Sequence, residues 1–357
     1  MKPALNPNES STLLPSLPQG AEVLVIRLRS LGDVVLTTPA LAALHAWRPD
    51  LRISVVVEAA FAPVLQSNPA VAEIIIANGT LSTAWELYRR RFPVVFNQHA
   101  GPASALMVGA SRIPARVCWT GRQFSFVYNV HVPGPREFFG DRPVHTAEHR
   151  ATQFYWTGMP RGPLPEAQVF PQAEAIASVT GRIRARGIDP GAPYAVLQPG
   201  GRYFTKRWAV DKFAALADWL RAKRGLEPFV ILGPGEEEVS AGVRQQMGAG
   251  ATVFDSLSLP ELIALLAGAQ LFVGNDAGPM HLAAALQRPV VAIFGSSSSV
   301  HWRPWETPSR VAQNDFPCNP CPGDKCYAFD EPRCILSVSV DQVRQACQEL
   351  LGNTANN

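Results

Sequence analysis

The aspartate best placed to act as a base lies in the first turn after an apolar run. Asp33 follows Gly32 in RSLGDVVLTTP at 29–39, between a predicted strand and a predicted helix. We expect this helix to kink or restart at Pro39, which has no amide proton to donate. At a helix start a carboxylate is favoured by the helix dipole or caps the helix. In a cleft it can instead take a proton from an attacking hydroxyl, which accelerates a reaction roughly 10²–10⁴-fold. The spacing alone leaves both interpretations open.

A second turn, QPGGRYFTKRW at 198–208, contains residue types that bind phosphate. Gly200 and Gly201 allow the backbone to approach a ligand closely. Lys206 and Arg207 supply the cations. The turn has no G-x-x-x-x-G-K-[ST] pattern, so it is not a P-loop. The alternative is a surface turn with solvated cations.

A third turn, FVGNDAGPMHLAAAL at 272–286, is the most informative of the series. Asp276 is a candidate cap, and Gly278 allows close approach of a ligand. Pro279 suits the first position of a helix, and His281 then lies in the first turn. Free N–H groups and the helix dipole make such a start a ready anion site. We therefore predict that this turn binds an anionic ligand.

Three further candidates lie in two other segments. One is a carboxylate in LGPGEEEVSA at 232–241, and the other two are polar residues that follow a strand of the first half. Glu236 begins a predicted helix, where the dipole favours acidic residues in any case. Its other interpretation is a carboxylate that grips a ribose diol. Asn97 and His99 follow a strand of the first half, and their position alone makes them weak candidates for a ligand site.

Two patterns resemble metal sites. HTAEH at 145–149 matches the H-x-x-E-H pattern of zinc proteases, but no third ligand is evident and we prefer a helix face. A cluster of four cysteines near the C-terminus has spacing that could bind zinc. Plain thiols and a disulfide or redox pair remain open alternatives. The cluster comprises Cys318, Cys321, Cys326 and Cys334.

The elements around these turns alternate between short apolar runs and helical patterns. Such alternation predicts parallel sheets covered by helices on both faces, and therefore two doubly wound α/β domains. In such sheets ligands bind beyond the carboxyl ends of the strands, which is where the candidate residues lie. The predicted strands are 22–29, 52–58, 72–77, 93–98, 115–119, 193–198, 228–233, 251–255, 270–275 and 289–295.

Proline-rich segments and composition shifts give the domain organisation. Residues 1–20 are rich in Pro, Ser and Asn and predict a disordered lead-in. An N-terminal domain covers 21–160, and 161–172 is a linker within a Pro-rich stretch. A C-terminal domain covers 173–340, followed by a C-terminal helix and tail at 341–357.

The composition excludes several classes of protein. Of the 357 residues, 47% are hydrophobic and only 17% are charged, which excludes a charged disordered chain. No apolar run reaches the ~18–20 residues of a membrane span, and the start lacks the continuous apolar centre of a signal peptide. We therefore expect a cytoplasmic protein. No basic block resembles a nucleic-acid arm, although residues 1–160 hold 14 basic and 10 acidic residues.

Four segments together resemble glycosyltransferase family 9, the lipopolysaccharide heptosyltransferases. They are GDVVLTTPAL (32–41), LQPGGRYFTKRW (197–208), GPGEEE (233–238) and VGNDAGPMHLAAAL (273–286). The resemblance runs from about residue 22 to 351, and the cysteine cluster also occurs in many members. It implies a GT-B fold: two Rossmann-like domains, each with a doubly wound parallel sheet, that face a cleft. The N-terminal domain (21–160) would lie on the acceptor side, and the C-terminal domain (173–340) would bind the nucleotide sugar.

The resemblance also implies a mechanism and a set of residues. Transfer would be inverting and metal-independent, with Asp33 as the catalytic base. Lys206 matches the lysine that binds pyrophosphate, and Glu236 the glutamate that binds the donor ribose. The sequence departs from the family in the turn at 198–208, where Gly201 and Arg202 replace small hydroxyl residues, and before Gly278, where Ala277 replaces the usual Thr. The donor-binding residues on this basis are Gly200, Gly201, Thr205, Lys206, Glu236, Asp276, Ala277, Gly278 and His281, with Gly32, Asn97 and His99 on the acceptor side.

The same resemblance implies the partners. The expected donor is ADP-heptose and the expected acceptor is a lipid-linked core oligosaccharide, with no cofactor, metal or nucleic acid. We expect peripheral contact with the inner membrane, at its cytoplasmic face. The alternatives are transfer from another nucleotide sugar, or a non-catalytic protein of the same fold that binds sugar nucleotides.

Overall fold

The computed structural model describes residues 11–248 and 252–352. Two compact units divide the chain: unit 1 ends at Phe170 and unit 2 begins at Pro171. Each unit is built around one six-stranded parallel sheet with helices, as the alternating pattern predicts.

The sheet of unit 1 has the strand order β3-β2-β1-β4-β5-β6, and all neighbouring strands are parallel. This is a doubly wound order, in which the chain reverses direction across the sheet between β1 and β4. The strands are β1 (Glu22–Ile26), β2 (Arg52–Val57), β3 (Glu73–Ile76), β4 (Val94–Asn97), β5 (Ala115–Trp119) and β6 (Val130–Val132).

The helices of unit 1 include the predicted break near Pro39. The first helical stretch ends at Val35 and restarts at Thr38, so that Pro39 falls in a first turn, where its missing N–H is tolerated. The helices are α1 (Leu31–Val35), α2 (Thr38–Trp47), α3 (Thr80–Arg90), α4 (Pro102–Ser111), α5 (Arg136–Phe139) and α6 (Thr146–Trp156), with 3-10 turns at Ala59–Val64 and Ser125–Val127.

Residues 11–20, which we expected to be disordered, pack on unit 1 instead. Leu14 is fully buried, and its backbone N–H donates to the carbonyl of Thr157 at 2.8 Å. Arg48 donates to the carbonyl of Leu14 at 3.0 Å. Arg48 also donates to the carbonyl of Leu17 at 3.2 Å, so one buried side chain and several backbone hydrogen bonds anchor a segment whose composition favours disorder. The other half of the predicted lead-in, residues 1–10, lies outside the described residues.

The sheet of unit 2 repeats the topology of unit 1. Its order is β12-β11-β10-β7-β8-β9, all parallel, with the reversal between β7 and β10. The strands are β7 (Tyr194–Gln198), β8 (Glu227–Ile231), β9 (Thr252–Phe254), β10 (Leu271–Asn275), β11 (Val290–Ile293) and β12 (Ser309–Ala312). The first residue of the strand predicted at 251–255 lies outside the described residues.

The helices of unit 2 lie between its strands, as the alternating pattern predicts. The longest, α8, has 15 residues, and no helix in the described part of the chain is both long and apolar enough to cross a membrane. The helices are α7 (Ala173–Arg184), α8 (Val210–Arg224), α9 (Glu237–Met247), α10 (Leu259–Ala267), α11 (Gly278–Ala285), α12 (Ser299–Trp302), α13 (Arg333–Leu336) and α14 (Val340–Leu351), with a 3-10 turn at Phe204–Lys206. Residues 353–357 of the predicted tail lie outside the described residues.

The sequence analysis missed one strand in each sheet. Val130–Val132 and Ser309–Ala312 form β6 and β12, and each lies at an edge. Both are short, and β12 is partly exposed. An edge strand is paired on one side only, so it needs no long apolar run. The other strands were predicted from such runs, and a strand without one gives no comparable signal.

The stretch before unit 2 is packed against unit 1. Ala167 is fully buried and Val169 is 5% exposed. Between them, the backbone N–H of Gln168 donates to the hydroxyl of Thr38 at 3.0 Å. These contacts belong to unit 1, which extends to Phe170.

The reversal point of each sheet organises the candidate residues. Ligands of doubly wound sheets bind outside the carboxyl ends of the strands at this point. In unit 1 the flanking strands β1 and β4 lead to Asp33 and to Asn97. In unit 2 the flanking strands β7 and β10 lead to Gly200 and to Asp276.

Candidate active site

In unit 1, Asp33 lies in the first turn of α1, and both of its carboxylate oxygens accept hydrogen bonds. Arg150 Nη2 lies 2.6 Å from Oδ1, and Arg27 Nη2 lies 2.5 Å from Oδ2. Ser30 donates its hydroxyl to Oδ2 at 2.9 Å. Ser30 is the residue that precedes α1, and no side chain caps this helix. Asp33 therefore serves an ionic cluster and does not cap the helix.

The electrostatics keep Asp33 ionised. Burial by itself would raise the pKa of Asp33, but the guanidinium groups of Arg27 and Arg150 and the hydrogen bond from Ser30 outweigh burial and lower the pKa below its usual value. Burial and the repulsion from Arg150 in turn lower the pKa of Arg27 to about 9. The Asp33 side chain remains 18% exposed, so solvent reaches an otherwise buried carboxylate.

Two elements position the arginines. Arg27 follows β1, and its backbone N–H donates to the carbonyl of Val56 at 3.0 Å. Arg150 lies on α6, and both arginines donate through Nη1 to the carbonyl of Gln98, at 2.6 and 3.2 Å. Gln98 directly follows β4, so this carbonyl ties both guanidinium groups to the reversal point.

The acceptor-side candidates have different surroundings. Asn97 is fully buried; its amide N–H groups donate to Ser104 and Tyr128, and its amide oxygen accepts from the backbone of the following loop. These bonds make Asn97 a support for the loop. His99 is half-buried, and burial together with the charges of Arg27 and Arg29 lowers its pKa. A neutral imidazole at this position can accept or donate a hydrogen bond.

In unit 2, amide side chains at the ends of β7 and β10 hold the turn that follows β7. Asn275 donates to the carbonyls of Pro199 and Gly200 at 2.8 and 2.9 Å, and its oxygen accepts from the N–H of Trp208 at 3.1 Å. Gln198 donates to the carbonyl of Gly200 at 2.7 Å. The end of β10 therefore holds the shape of the predicted phosphate turn.

Lys206 and Asp276, 70 residues apart in the chain, form an ion pair. Lys206 Nζ lies 2.7 Å from Asp276 Oδ2. Asp276 is almost completely buried, whereas the lysine side chain is 22% exposed. Ala277, and not Asp276, occupies the position before α11. The aspartate that we expected to be a cap therefore orients the ammonium group instead.

Glu236 reaches back to the same turn. Its Oε1 accepts from the backbone N–H of Gly201 at 2.8 Å, and its Oε2 accepts from that of Gly233 at 2.7 Å. A Cβ at Gly200 would lie only 2.0 Å from Oε1, so glycine is required for this approach. Each carboxylate oxygen has a further lone pair for a ligand. Glu236 lines an open groove of about 580 Å³ between the start of α9 and Asp255.

The remaining donor candidates are less accessible. Thr205 is 1% exposed and hydrogen-bonds to the Ser296 hydroxyl at 3.2 Å and to the carbonyl of Gly323. These contacts join the turn at 198–208 to the segment that contains the clustered cysteines. His281 is 3% exposed, in the first turn of α11, and Ala277 and Gly278 at the helix start are partly buried.

The HTAEH pattern forms a helix cap. His145 precedes α6 and accepts from the N–H of Ala147, and Glu148 accepts from the N–H of His145 at 3.0 Å. Arg142 pairs with Glu148 at 2.5 Å, and the ring of His149 lies 4.6 Å from that of Trp119. These contacts give each residue of the pattern a structural role at a helix start.

The four clustered cysteines line one enclosed cavity of about 20 Å³ that also reaches Thr205 and Ser296. No disulfide joins them, and in the described part of the chain no group of His, Cys, Asp or Glu is arranged to hold a metal ion. Burial raises the pKa of Cys334, and the other three cysteines add to the rise.

The sequence analysis missed four residues that shape the two sites: Arg27 and Arg150 in unit 1, and Gln198 and Asn275 in unit 2. One signal was available. Arg27, Gln198 and Asn275 are polar residues at or just beyond the end of a buried apolar strand. Arg150 gave no comparable signal, because its partner is 117 residues away in the chain.

Comparison with known proteins decides the family. The profile of glycosyltransferase family 9 (heptosyltransferase) matches residues 84–329, well over half of the chain. The chain belongs to glycosyltransferase family 9. Lipopolysaccharide heptosyltransferase 1 of Pseudomonas aeruginosa is 28% identical over 339 residues, which cover 90% of this chain and 92% of that protein.

Solved structures of family 9 proteins show the same fold. A glycosyltransferase family 9 protein of Veillonella parvula superposes with a TM-score of 0.81 at 22% identity, covering 96% of this chain and 99% of that one. The E. coli ADP-heptose lps heptosyltransferase II gives a TM-score of 0.76 at 22% identity, covering 92% and 98%. The predicted GT-B architecture of two Rossmann-like units is thus confirmed, and this family 9 protein is a glycosyltransferase.

Proposed function

We propose that this family 9 protein transfers a heptose from ADP-heptose to a hydroxyl of the lipopolysaccharide inner core, with inversion. One observation carries the proposal: an ionised, partly exposed Asp33 lies at the reversal point of one sheet, and the Lys206–Asp276 pair lies at that of the other. The names of relatives support both substrates: the curated relatives are lipopolysaccharide heptosyltransferases, and one similar structure is an ADP-heptose lps heptosyltransferase.

Unit 2 binds the donor in this proposal. Lys206 and the start of α11 at Gly278 contact the diphosphate, where both the ammonium charge and the helix dipole favour an anion. Glu236 accepts hydrogen bonds from the ribose diol through its remaining lone pairs. These groups stabilise the negative charge that develops on the leaving diphosphate.

Unit 1 supplies the base. The acceptor hydroxyl attacks the anomeric carbon, the bond from that carbon to the diphosphate oxygen breaks, and ADP leaves. Asp33 takes the hydroxyl proton. Arg27 and Arg150 are positioning residues that orient the carboxylate and keep it ionised. A single displacement inverts the anomeric centre.

The proposal includes metal independence and a location. Lys206 supplies the positive charge next to the diphosphate, so we expect turnover to continue in the presence of a chelator. A lipid-linked acceptor places the reaction at the cytoplasmic face of the inner membrane. Ala277 and Arg202 replace residues usual at donor contacts, so the donor is tested against other nucleotide sugars.

The test is turnover by the purified full chain with ADP-heptose and inner-core acceptor, with NMR assignment of the product anomer. Asp33→Asn should lower kcat roughly 10²–10⁴-fold with ADP affinity unchanged, because a base is lost and the donor site is not. Full turnover by this variant would remove Asp33 from its role. Turnover only with a GDP- or UDP-sugar would replace the proposed donor, and donor binding without turnover would indicate a non-catalytic protein.

A further inference from the structure

Unit 1 presents an unusual concentration of exposed apolar side chains. Leu81 is 72% exposed, Trp85 is 62% exposed and Phe126 is 66% exposed. Of the eleven large apolar side chains that are exposed in the described residues, six lie between positions 81 and 126. We call this surface the α3–α4 face; its members are Leu81, Trp85, Tyr88, Leu106, Phe124 and Phe126.

Contacts between its members make the face continuous. The rings of Trp85 and Tyr88 stack with their centroids 5.6 Å apart, and the Arg112 guanidinium at the end of α4 lies 5.8 Å from the Tyr88 centroid. α3 packs along α4, and α4 contacts the 3-10 turn at Ser125–Val127. Phe124 and Phe126 flank the start of this turn, with centroids 6.3 Å apart. The side chains thus form one patch on neighbouring elements.

Helix α3 has apolar residues on two sides. Ala84 and Leu87 face the core and are buried. Leu81, Trp85 and Tyr88 follow one another at spacings of four and three residues, which places them on one face of the helix, and all three are exposed. Packing within unit 1 explains why Ala84 and Leu87 are apolar, but it does not explain the apolar side chains on the exposed face.

The charge of the segment is predominantly positive. Residues 80–126 contain six arginines and a single acidic residue, Glu86. Glu86 pairs with Arg90 at 2.7 Å, and Arg90 also pairs with Glu73. Arg89 and Arg91 are exposed and have no ion-pair partner within the described part of the chain. A surface of aromatic and aliphatic side chains edged by unneutralised arginines is complementary to an anionic, partly apolar partner.

We propose that the α3–α4 face docks on an anionic lipid bilayer. Trp and Tyr favour the boundary between headgroups and acyl chains, because one end of each ring system is polar. Arginines beside them are attracted to anionic headgroups, and this attraction falls off within a Debye length. The inference adds a membrane-contact surface to the proposed function, but docking itself does not depend on the transfer reaction.

The test is co-sedimentation of the purified full chain with vesicles of phosphatidylethanolamine and phosphatidylglycerol, compared with neutral phosphatidylcholine vesicles. We expect binding to anionic vesicles that weakens as salt rises. Leu81→Ser with Trp85→Ser should weaken binding at least about tenfold, because their apolar surface no longer enters the bilayer. The matched control is Ile176→Ser with Val311→Ser, which removes exposed apolar surface from unit 2 and should bind like wild type.

The charge component has its own matched pair. Arg89→Glu with Arg91→Glu should weaken binding to anionic vesicles at least about tenfold. Arg184→Glu with Lys223→Glu makes the same change of net charge on exposed positions of unit 2 and should leave binding unchanged. Equal losses in both pairs would show that net charge alone drives binding and would overturn the assignment to this face.

Two further outcomes would overturn the proposal. One is wild-type binding that is absent or equal on neutral and anionic vesicles. The other is a dimer in sedimentation velocity that the Leu81→Ser, Trp85→Ser variant abolishes, since a second copy would then cover the face. Turnover of a delipidated acceptor separates the two proposals: if wild-type protein docks on vesicles but transfers no heptose, the proposed reaction fails and the docking surface stands.

Discussion

Gly200→Ala is a small change whose effect the structure specifies. Gly200 has a backbone φ outside the left-handed region, so the main chain accepts alanine. The added Cβ would nevertheless lie 2.0 and 2.1 Å from the two carboxylate oxygens of Glu236. Because that carboxylate is the end of a flexible side chain, it will move and the turn will remain. We therefore expect a folded protein with a displaced Glu236.

The expected loss follows from the bonds that Glu236 gives up. Its carboxylate leaves the backbone N–H groups of Gly201 and Gly233, which orient it towards the ribose. Hydrogen bonds from the ribose hydroxyls to this charged group would contribute ~1.5–3 kcal/mol each to ADP binding. Glu236 is only half-buried, so water replaces part of this energy. If the displaced carboxylate no longer meets the ribose, a net loss of about 2 kcal/mol weakens ADP binding about 30-fold.

The assay is calorimetric titration of ADP into four proteins: wild type, Gly200→Ala, Glu236→Ala and the double variant. Once Glu236 is truncated, the Cβ at position 200 has no carboxylate to displace, so the double variant should bind ADP no more weakly than Glu236→Ala. Gly181→Ala is the matched control, because its Cβ meets nothing within 4 Å. Additive losses, or an unchanged affinity of Gly200→Ala, would refute the reasoning.

Two other variants test the electrostatics of each unit. Arg150→Gln removes one of the two guanidinium groups that lower the pKa of Asp33, so burial, which raises this pKa, is opposed less strongly. The base must be ionised, so the acid limb of the pH profile of kcat/KM should move to higher pH in Arg150→Gln. The control variant Arg142→Gln should leave this limb in place. An unmoved limb in Arg150→Gln would show that the arginine does not act on the base. Lys206→Ala should weaken ADP binding about 10- to 100-fold, because a charge-assisted contact is lost. The control Lys223→Ala, on an exposed part of α8, should bind ADP like wild type. Unaltered affinity of Lys206→Ala by calorimetry would count against the donor site.

The sheet topology and the turns after the strands were predictable because both follow from local pattern. Buried parallel strands are continuous apolar runs, and glycines beside polar residues mark the turns between strand and helix. The pattern therefore located Asp33, Gly200 and Asp276 at the ends of strands. It also gave the break before Pro39, because proline has no N–H to donate.

The partners of these residues were not predictable, because they depend on contacts between distant segments. Asp33 pairs with an arginine 117 residues later, and Lys206 pairs with an aspartate 70 residues later. The same limit explains residues 11–20, where composition indicates disorder but Leu14 finds a buried position. A single sequence carries the periodicity of each element but no record of which side chains meet.

The ionic cluster at Asp33 bears on where the rate enhancement arises. If Asp33 is the base, as we propose, the two guanidinium groups favour its ionised form but also weaken it as a base, because they lower its pKa. A weak base costs little if the sugar–phosphate bond is largely broken before the hydroxyl loses its proton, as in an oxocarbenium-like transition state. In that case charge stabilisation of the leaving diphosphate by Lys206 contributes the larger share, and precise orientation of Asp33 matters more than its basicity. Arg27 and Arg150 then serve the reaction by fixing the direction of the carboxylate.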